Sequence, residues 1–152
     1  LEPTAFHLLS LAGESALSHQ IDAMTKTYVT DWTLGDPHAV RHVIDFYGGS
    51  DTFANCPAAL QAKFTALTAT NILDWQTGHA ENPGKAEFSA VSTQTLVVCG
   101  SNSHIAMRRC NELLVESLAQ AQLKMLEGAN HFMIGTHASQ LIRCIEQQVQ
   151  NA

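Results

Sequence analysis

Thr95-Leu96-Val97-Val98-Cys99 is an unbroken apolar run, rich in β-branched residues, that stops at Gly100. With no polar alternation it has no solvent face, so it predicts a strand buried on both sides, as in a parallel sheet. Such a strand needs helices over both faces and neighbours along its edges, since two parallel strands alone make no stable sheet. Ser101-Asn102-Ser103 then supply helix-capping residue types. Beyond them Ala106, Cys110, Leu113, Leu114 and Leu118 recur at helical spacing, while Arg108, Arg109, Glu112 and Glu116 fall elsewhere. Leu123 to Glu127 reads as a second, more polar strand closed by Gly128. A final helix is expected from near His137, with Ala138, Leu141, Ile142, Ile145 and Val149 on one stripe. Strand, helix, strand, helix in this compass predicts parallel strands joined by a crossover, hence an α/β fold.

The first half differs in kind. Between Thr4 and Gly78 no segment reads as a strand. Helices are expected over Thr4–Leu11, Glu14–Thr33, Pro37–Tyr47 and Pro57–Thr77, with breaks at Gly13, at Gly35-Asp36-Pro37 and at Gly48-Gly49-Ser50. Residues 79–94, which include the turn-forming Asn82-Pro83-Gly84, are expected to be a linker to the β-α-β-α unit over 95–152. The two strands leave an open edge, and the chain opens on Leu1-Glu2-Pro3 without a methionine. The expectation is therefore a fragment, with a sheet completed by chain outside this sequence or by another chain.

Composition narrows the function classes. The 152 residues suffice for one core, and 45 % hydrophobic with 14 % charged residues is a globular, water-soluble balance. The net charge is −6 and the few Lys and Arg are scattered, which argues against nucleic acid as a partner. No apolar run approaches the roughly 20 residues that span a bilayer, and no signal-peptide pattern is visible. The four cysteines lie far apart without CxxC pairing and read as buried thiols of a reducing compartment, so a cytoplasmic location is expected. His38 and His42 have i, i+4 spacing, but without H-E-x-x-H or a third ligand they read as a solvated helix face, and no metal or cofactor is implied.

Leu126-Glu127-Gly128-Ala129-Asn130-His131-Phe132 places a histidine just past a strand, after a glycine turn. In α/β sheets ligands and catalysis gather beyond the carboxyl ends of the strands, and imidazole suits general acid–base work near neutral pH. A single loop histidine is more often only a loop residue, and this chain has eight. The combination of strand, glycine turn, histidine and closing amphipathic helix is what singles out His131.

The stretch from Leu96 to Val149 resembles the end of the α/β-hydrolase fold, where an edge strand leads to a Gly-x-x-His turn (here Gly128-Ala129-Asn130-His131) and a terminal helix. Leu1-Glu2-Pro3-Thr4-Ala5-Phe6 resembles the exit from the strand before the cap insertion of that family, and Asp45-Phe46-Tyr47-Gly48-Gly49 resembles a cap segment of some members. The resemblance covers nearly the whole chain, with residues 1–3 as the end of a core strand, 4–78 as a helical cap and 95–152 as the C-terminal part of the core. It implies an esterase-like serine hydrolase, acting on a small or apolar ester, with His131 as general base. The family's Gly-x-Ser-x-Gly elbow is absent here, and the resemblance puts both elbow and oxyanion hole upstream of Leu1, in a missing N-terminal half. The family's usual acid position falls on Ser103, and Gly100–His104 carries no carboxylate. Its alternative position, at the end of the preceding strand, falls on Glu2. Two readings of Glu2 stay open: partner of His131, or a carboxylate complementing the dipole of a helix starting near Pro3-Thr4.

His7 and Phe6 at the cap hinge, Trp32 in the cap and Phe132 beside the histidine are expected to face substrate. Trp75, Phe46 and Phe64 read first as cap core, Asp45 and Asp51 as weaker acid candidates, His137 as rim or turn residue, and Cys99 as packing. Two other functions remain open. One is a degenerate family member whose cap serves as a binding scaffold. The other is an α/β enzyme whose Gly128–His131 turn holds a phosphate, weak because no glycine-rich fingerprint follows a strand.

Overall fold

The computed structural model describes residues 1–80 and 82–150. The chain is mixed α/β, mostly helical, with a small parallel sheet of two strands among the described residues. Strand β1 (Thr95–Gly100) pairs in parallel with β2 (Ala121–Leu126), from Thr95 beside Ala121 to Gly100 beside Leu126. The crossover between them is α7 (Ile105–Ser117), so β2 starts two residues earlier than its apolar pattern shows. Parallel pairing explains the shift: the ladder follows the register of β1, whatever the polarity of Ala121 and Gln122.

The apolar run of β1 has the expected two-sided burial. Val97 joins the larger core, with Ala106, Met107, Cys110, Leu113 and Leu114 of α7. Val98 points the other way, into a smaller core with Leu126, Ala129, Met133, Leu141 and Cys144. The last two come from α9 (Ala138–Gln150), which covers the second face. α9 begins one residue past His137, as expected, and an additional short helix α8 (Met133–Thr136) precedes it, with His137 at φ −129° between the two. Leu141 and Cys144 are buried, whereas Ile142, Ile145 and Val149 on the same helix are exposed. Two strands present too narrow a surface to cover the whole apolar stripe.

Helices α1 (His7–Leu11), α2 (Ser15–Thr33), α3 (Arg41–Gly48), α4 (Thr52–Asn55) and α5 (Ala58–Ala80) build the first half. α1 begins three residues later than expected, α3 four later, and α5 runs on to Ala80. The linker region holds one more short helix, α6 (Lys85–Ser89), packed toward α7. The helical layer is joined by polar contacts as well as by its core. The Tyr28 hydroxyl donates to Asn71 Oδ1 at 2.7 Å, and Trp75 Nε1 donates to Thr25 Oγ1 at 2.9 Å, linking α2 to α5. Burial pushes the Tyr28 phenol up to about 12, so it stays a donor.

Residues 1–3 form no strand of their own, but Glu2 N–H donates to Val98 O at 3.1 Å and lies along the edge of β1 opposite β2. No described helix is long and apolar enough to cross a membrane. Cys99, Cys110 and Cys144 are buried, Cys56 is partly so, and all four thiols are free.

At the carboxyl end of the sheet the turns after β1 and β2 interlock. Ser101 N–H donates to Leu126 O at 2.9 Å and Asn102 N–H to Ala129 O at 2.8 Å. In return Gly128 N–H donates to Ser101 Oγ at 2.8 Å. The approach is so close that a Cβ on Gly100 would stand 2.2 Å from Ala129 O, a backbone atom that cannot swing aside. Gly100→Ala is therefore expected to destabilise the fold by about 2 kcal/mol, roughly 6 °C in Tm. Thermal unfolding checks this, and a wild-type midpoint would contradict the close approach.

Candidate active site

The interlocked turns bring one side chain from each of several distant segments to a single point. His131, on the turn after β2, has Nδ1 at 2.9 Å from Glu2 Oε2. The other oxygen of Glu2 accepts the Gly100 N–H at 2.7 Å and the Ser103 hydroxyl in a short hydrogen bond. The Glu2 side chain is 1 % exposed and that of His131 27 %. The carboxylate is thus sealed under the imidazole, whose outer edge reaches solvent.

Burial pushes the Glu2 carboxyl up, but hydrogen bonds from His131, Gly100 N–H and Ser103 outweigh it and hold the group below its ordinary value. An ionised carboxylate only accepts, so Nδ1 carries the proton, and in the neutral ring Nε2 is then the nitrogen that can accept one. No described group hydrogen-bonds Nε2. Burial, and next the negative charge of Glu2, push the Cys99 thiol well up; it donates to Gly100 O and is unsuited to act as a nucleophile.

The backbone of Glu2 has φ 37°, in the left-handed region that non-glycine residues rarely occupy. The strain, on the order of 1–2 kcal/mol, is held in place by the three donors converging on the side chain. α1 is capped by Phe6, with no side-chain hydrogen bond, so Glu2 does not serve as its cap.

The last turn of α3 closes the site from the helical side. Tyr47 lies flat on the imidazole of His131, ring centroids 3.9 Å apart and planes 13° apart. Phe46 packs against His104, the residue before α7, at 4.5 Å. Gly48 O accepts a hydrogen bond from Asn130 Nδ2 at 3.1 Å, and a Cβ on Gly48 would meet Thr52 at 2.5 Å and Phe132 at 2.9 Å. His104 is depressed by burial first and by Arg108 second, so its ring is biased to the neutral form, with Nδ1 accepting the Ala106 N–H at 3.2 Å.

Of the residues expected at a site, Glu2, His131 and Phe132 come together, Phe132 edge-on to the imidazole at 6.1 Å. Phe6 is buried between Phe46 and Trp75. His7 turns to Pro83 O, at 2.9 Å, and stacks on Phe88. Phe6 and His7 border a small cleft of about 160 Å³, with Ser10, Ser18 and Asp22 on its wall. Trp32 packs against the larger core, and no ring contact joins it to His131 among the described residues. Asp45 accepts the Phe53 N–H at 2.8 Å, which fixes α4, and Asp51 precedes that helix with φ 62°. His42 is paired with Asp31 at 2.7 Å, His38 faces Thr65, and His137 bonds its neighbour Thr136. No cluster of three or more His, Cys, Asp or Glu able to hold a metal ion occurs among the described residues.

Sequence reasoning passed over Tyr47, Asn130 and the donating role of Ser103. Tyr47 entered only as part of the Asp45–Gly49 segment that resembles a cap, with no role of its own. Ser103 stands where a carboxylate was sought; a hydroxyl there becomes informative once a carboxylate faces it. Comparison of the chain with protein-family models, with curated proteins and with solved structures finds no match.

Two measurements follow from this geometry. Nitrogen-15 NMR is expected to show neutral His131 as the Nδ1–H tautomer, and Glu2→Gln, whose amide offers that nitrogen a donor, is expected to move the proton to Nε2. A variant that keeps the wild-type tautomer would remove Glu2 as the partner. The second concerns acid. Because the folded-state value of Glu2 is lowered, its stabilisation is complete above the ordinary value of 4.5 and is lost as pH falls through the folded value. Urea unfolding between about pH 3 and 5 should thus show a smaller pH dependence in Glu2→Gln than in wild type.

Proposed function

We propose that the chain is the histidine-bearing, C-terminal portion of a serine hydrolase of the α/β-hydrolase type, acting on a small or apolar ester. The observation that carries this reading is the Glu2–His131 pair, with a buried carboxylate on Nδ1 and an Nε2 that no described group hydrogen-bonds. In that arrangement a neutral imidazole can remove a proton from a hydroxyl nucleophile through Nε2. His131 would take that proton as the nucleophile attacks the acyl carbon and give it to the leaving alkoxide. It would then deprotonate the water that releases the acyl group, while Glu2 stabilises the imidazolium and remains ionised.

In this proposal the nucleophile and oxyanion donors come from chain outside these residues. The geometry supports that division in two ways. No serine, threonine or cysteine among the described residues hydrogen-bonds Nε2. The sheet also has room for more: among the described residues β1 has no strand along its edge opposite β2, where Glu2 N–H meets Val98 O, and Ile142, Ile145 and Val149 of α9 are exposed. Helices α1–α5 would then be the cap over the crevice, with Phe132 at its floor.

Labelling with a fluorophosphonate tests the reading, using the protein extended through the coding sequence upstream of Leu1. The expected result is one labelled serine in a Gly-x-Ser-x-Gly context, with His131→Ala cutting the labelling and ester-hydrolysis rates by about three orders of magnitude or more. Absence of labelling in the extended protein would overturn the hydrolase and leave a binding scaffold. Near-normal rates in His131→Ala would overturn the role of the histidine.

A further inference from the structure

We infer that Tyr47 is a positioning residue for His131: its ring face fixes the plane of the imidazole. The inference rests on reading His131 as the base and adds to it a control exerted by the helical region.

A histidine held through Nδ1 alone can still swing about that hydrogen bond, because one contact to Glu2 defines a distance but not a plane. The second constraint is the Tyr47 ring, 3.9 Å away and tilted by only 13°. Such a parallel contact leaves the imidazole in-plane rotation and little else. Phe132 stands edge-on at 77° on a different side. The clamp is itself anchored, since Asn130 next to the histidine donates to Gly48 O, the residue after Tyr47. Gly48 has no space for a side chain between Thr52 and Phe132, so the end of α3 is set directly against the histidine turn.

Proton NMR of the wild-type chain tests the contact first: Tyr47 is expected to shift the His131 ring protons upfield, with cross-relaxation between the two rings. Comparison of the His131 ring signals in Tyr47→Phe and Tyr47→Leu then tests the role. Phenylalanine keeps the ring face and should leave their line widths and upfield shift close to wild type. Leucine still covers the imidazole but offers no flat ring face, and should lose the upfield shift and broaden the signals. Equal line widths in the two variants, or no ring-current shift in the wild type, would overturn the inference. Should Tyr47→Leu fail to fold, the wild-type ring-current shift and the Tyr47→Phe line widths still decide it. These readouts need no substrate, so an unlabelled extended protein would reject the hydrolase while leaving the Tyr47 result standing on its own.

Discussion

The structure at the end of the sheet depends on one buried carboxylate. Removing an ionised group from water costs several kcal/mol even after relaxation, and a single ion pair rarely returns that much. Glu2 survives in the charged form because three donors converge on it, the imidazole of His131, the Gly100 N–H and the Ser103 hydroxyl. One of these donors lies on β1, one on the turn leading to α7 and one on the turn after β2. Satisfying one charge therefore fixes the relative placement of three segments. The left-handed backbone of Glu2 belongs to the same account: without those partners, a more relaxed φ would be preferred.

What could be read from the sequence follows from how the information is stored. β1 was legible because burial on both faces removes polar alternation, a signal that survives in one strand alone. α2 and α5 were legible within a few residues because long helices show several turns of their period. α4 and α6, of four and five residues, show barely one turn, so the Gly48–Ser50 break and the 79–94 linker concealed them. The end of β2 was visible to within one residue, Glu127 against Leu126, but its start was set by pairing with β1, which no local pattern records. On α9 the apolar stripe was legible; that only Leu141 and Cys144 would be covered was not, since it depends on the width of the sheet.

The site divides in the same manner. His131 was signalled by its neighbours in the chain, through the glycine turn after a strand. Glu2 stands 129 residues away and entered only through resemblance to a family, because nothing in Leu1-Glu2-Pro3 itself distinguishes a partner from a helix-dipole carboxylate. Gly100 was readable as the end of a strand, yet its necessity comes from Ala129 O on another turn. Tyr47 was the least visible of all. It stood only within the segment resembling a cap, and its other ring contacts, to Phe46 and Trp75, pack it partly buried against the larger core.

That double role bears on how the helical region and the sheet act together. Phe46 and Tyr47 are consecutive on α3, and each packs on a histidine from a different turn, His104 after β1 and His131 after β2. Phe46 also meets Phe6, four residues beyond Glu2. A displacement of α3 would therefore be felt by the N-terminal segment and by both turns at once. The aromatic contacts cannot all be kept while any one of those segments moves separately, because packed rings tolerate little gap before their attraction is lost. The helical region is for this reason not an independent lid resting on a finished site. Glu2 fixes the imidazole through its edge and α3 fixes it through its face, and the ring has a defined orientation only where both are present.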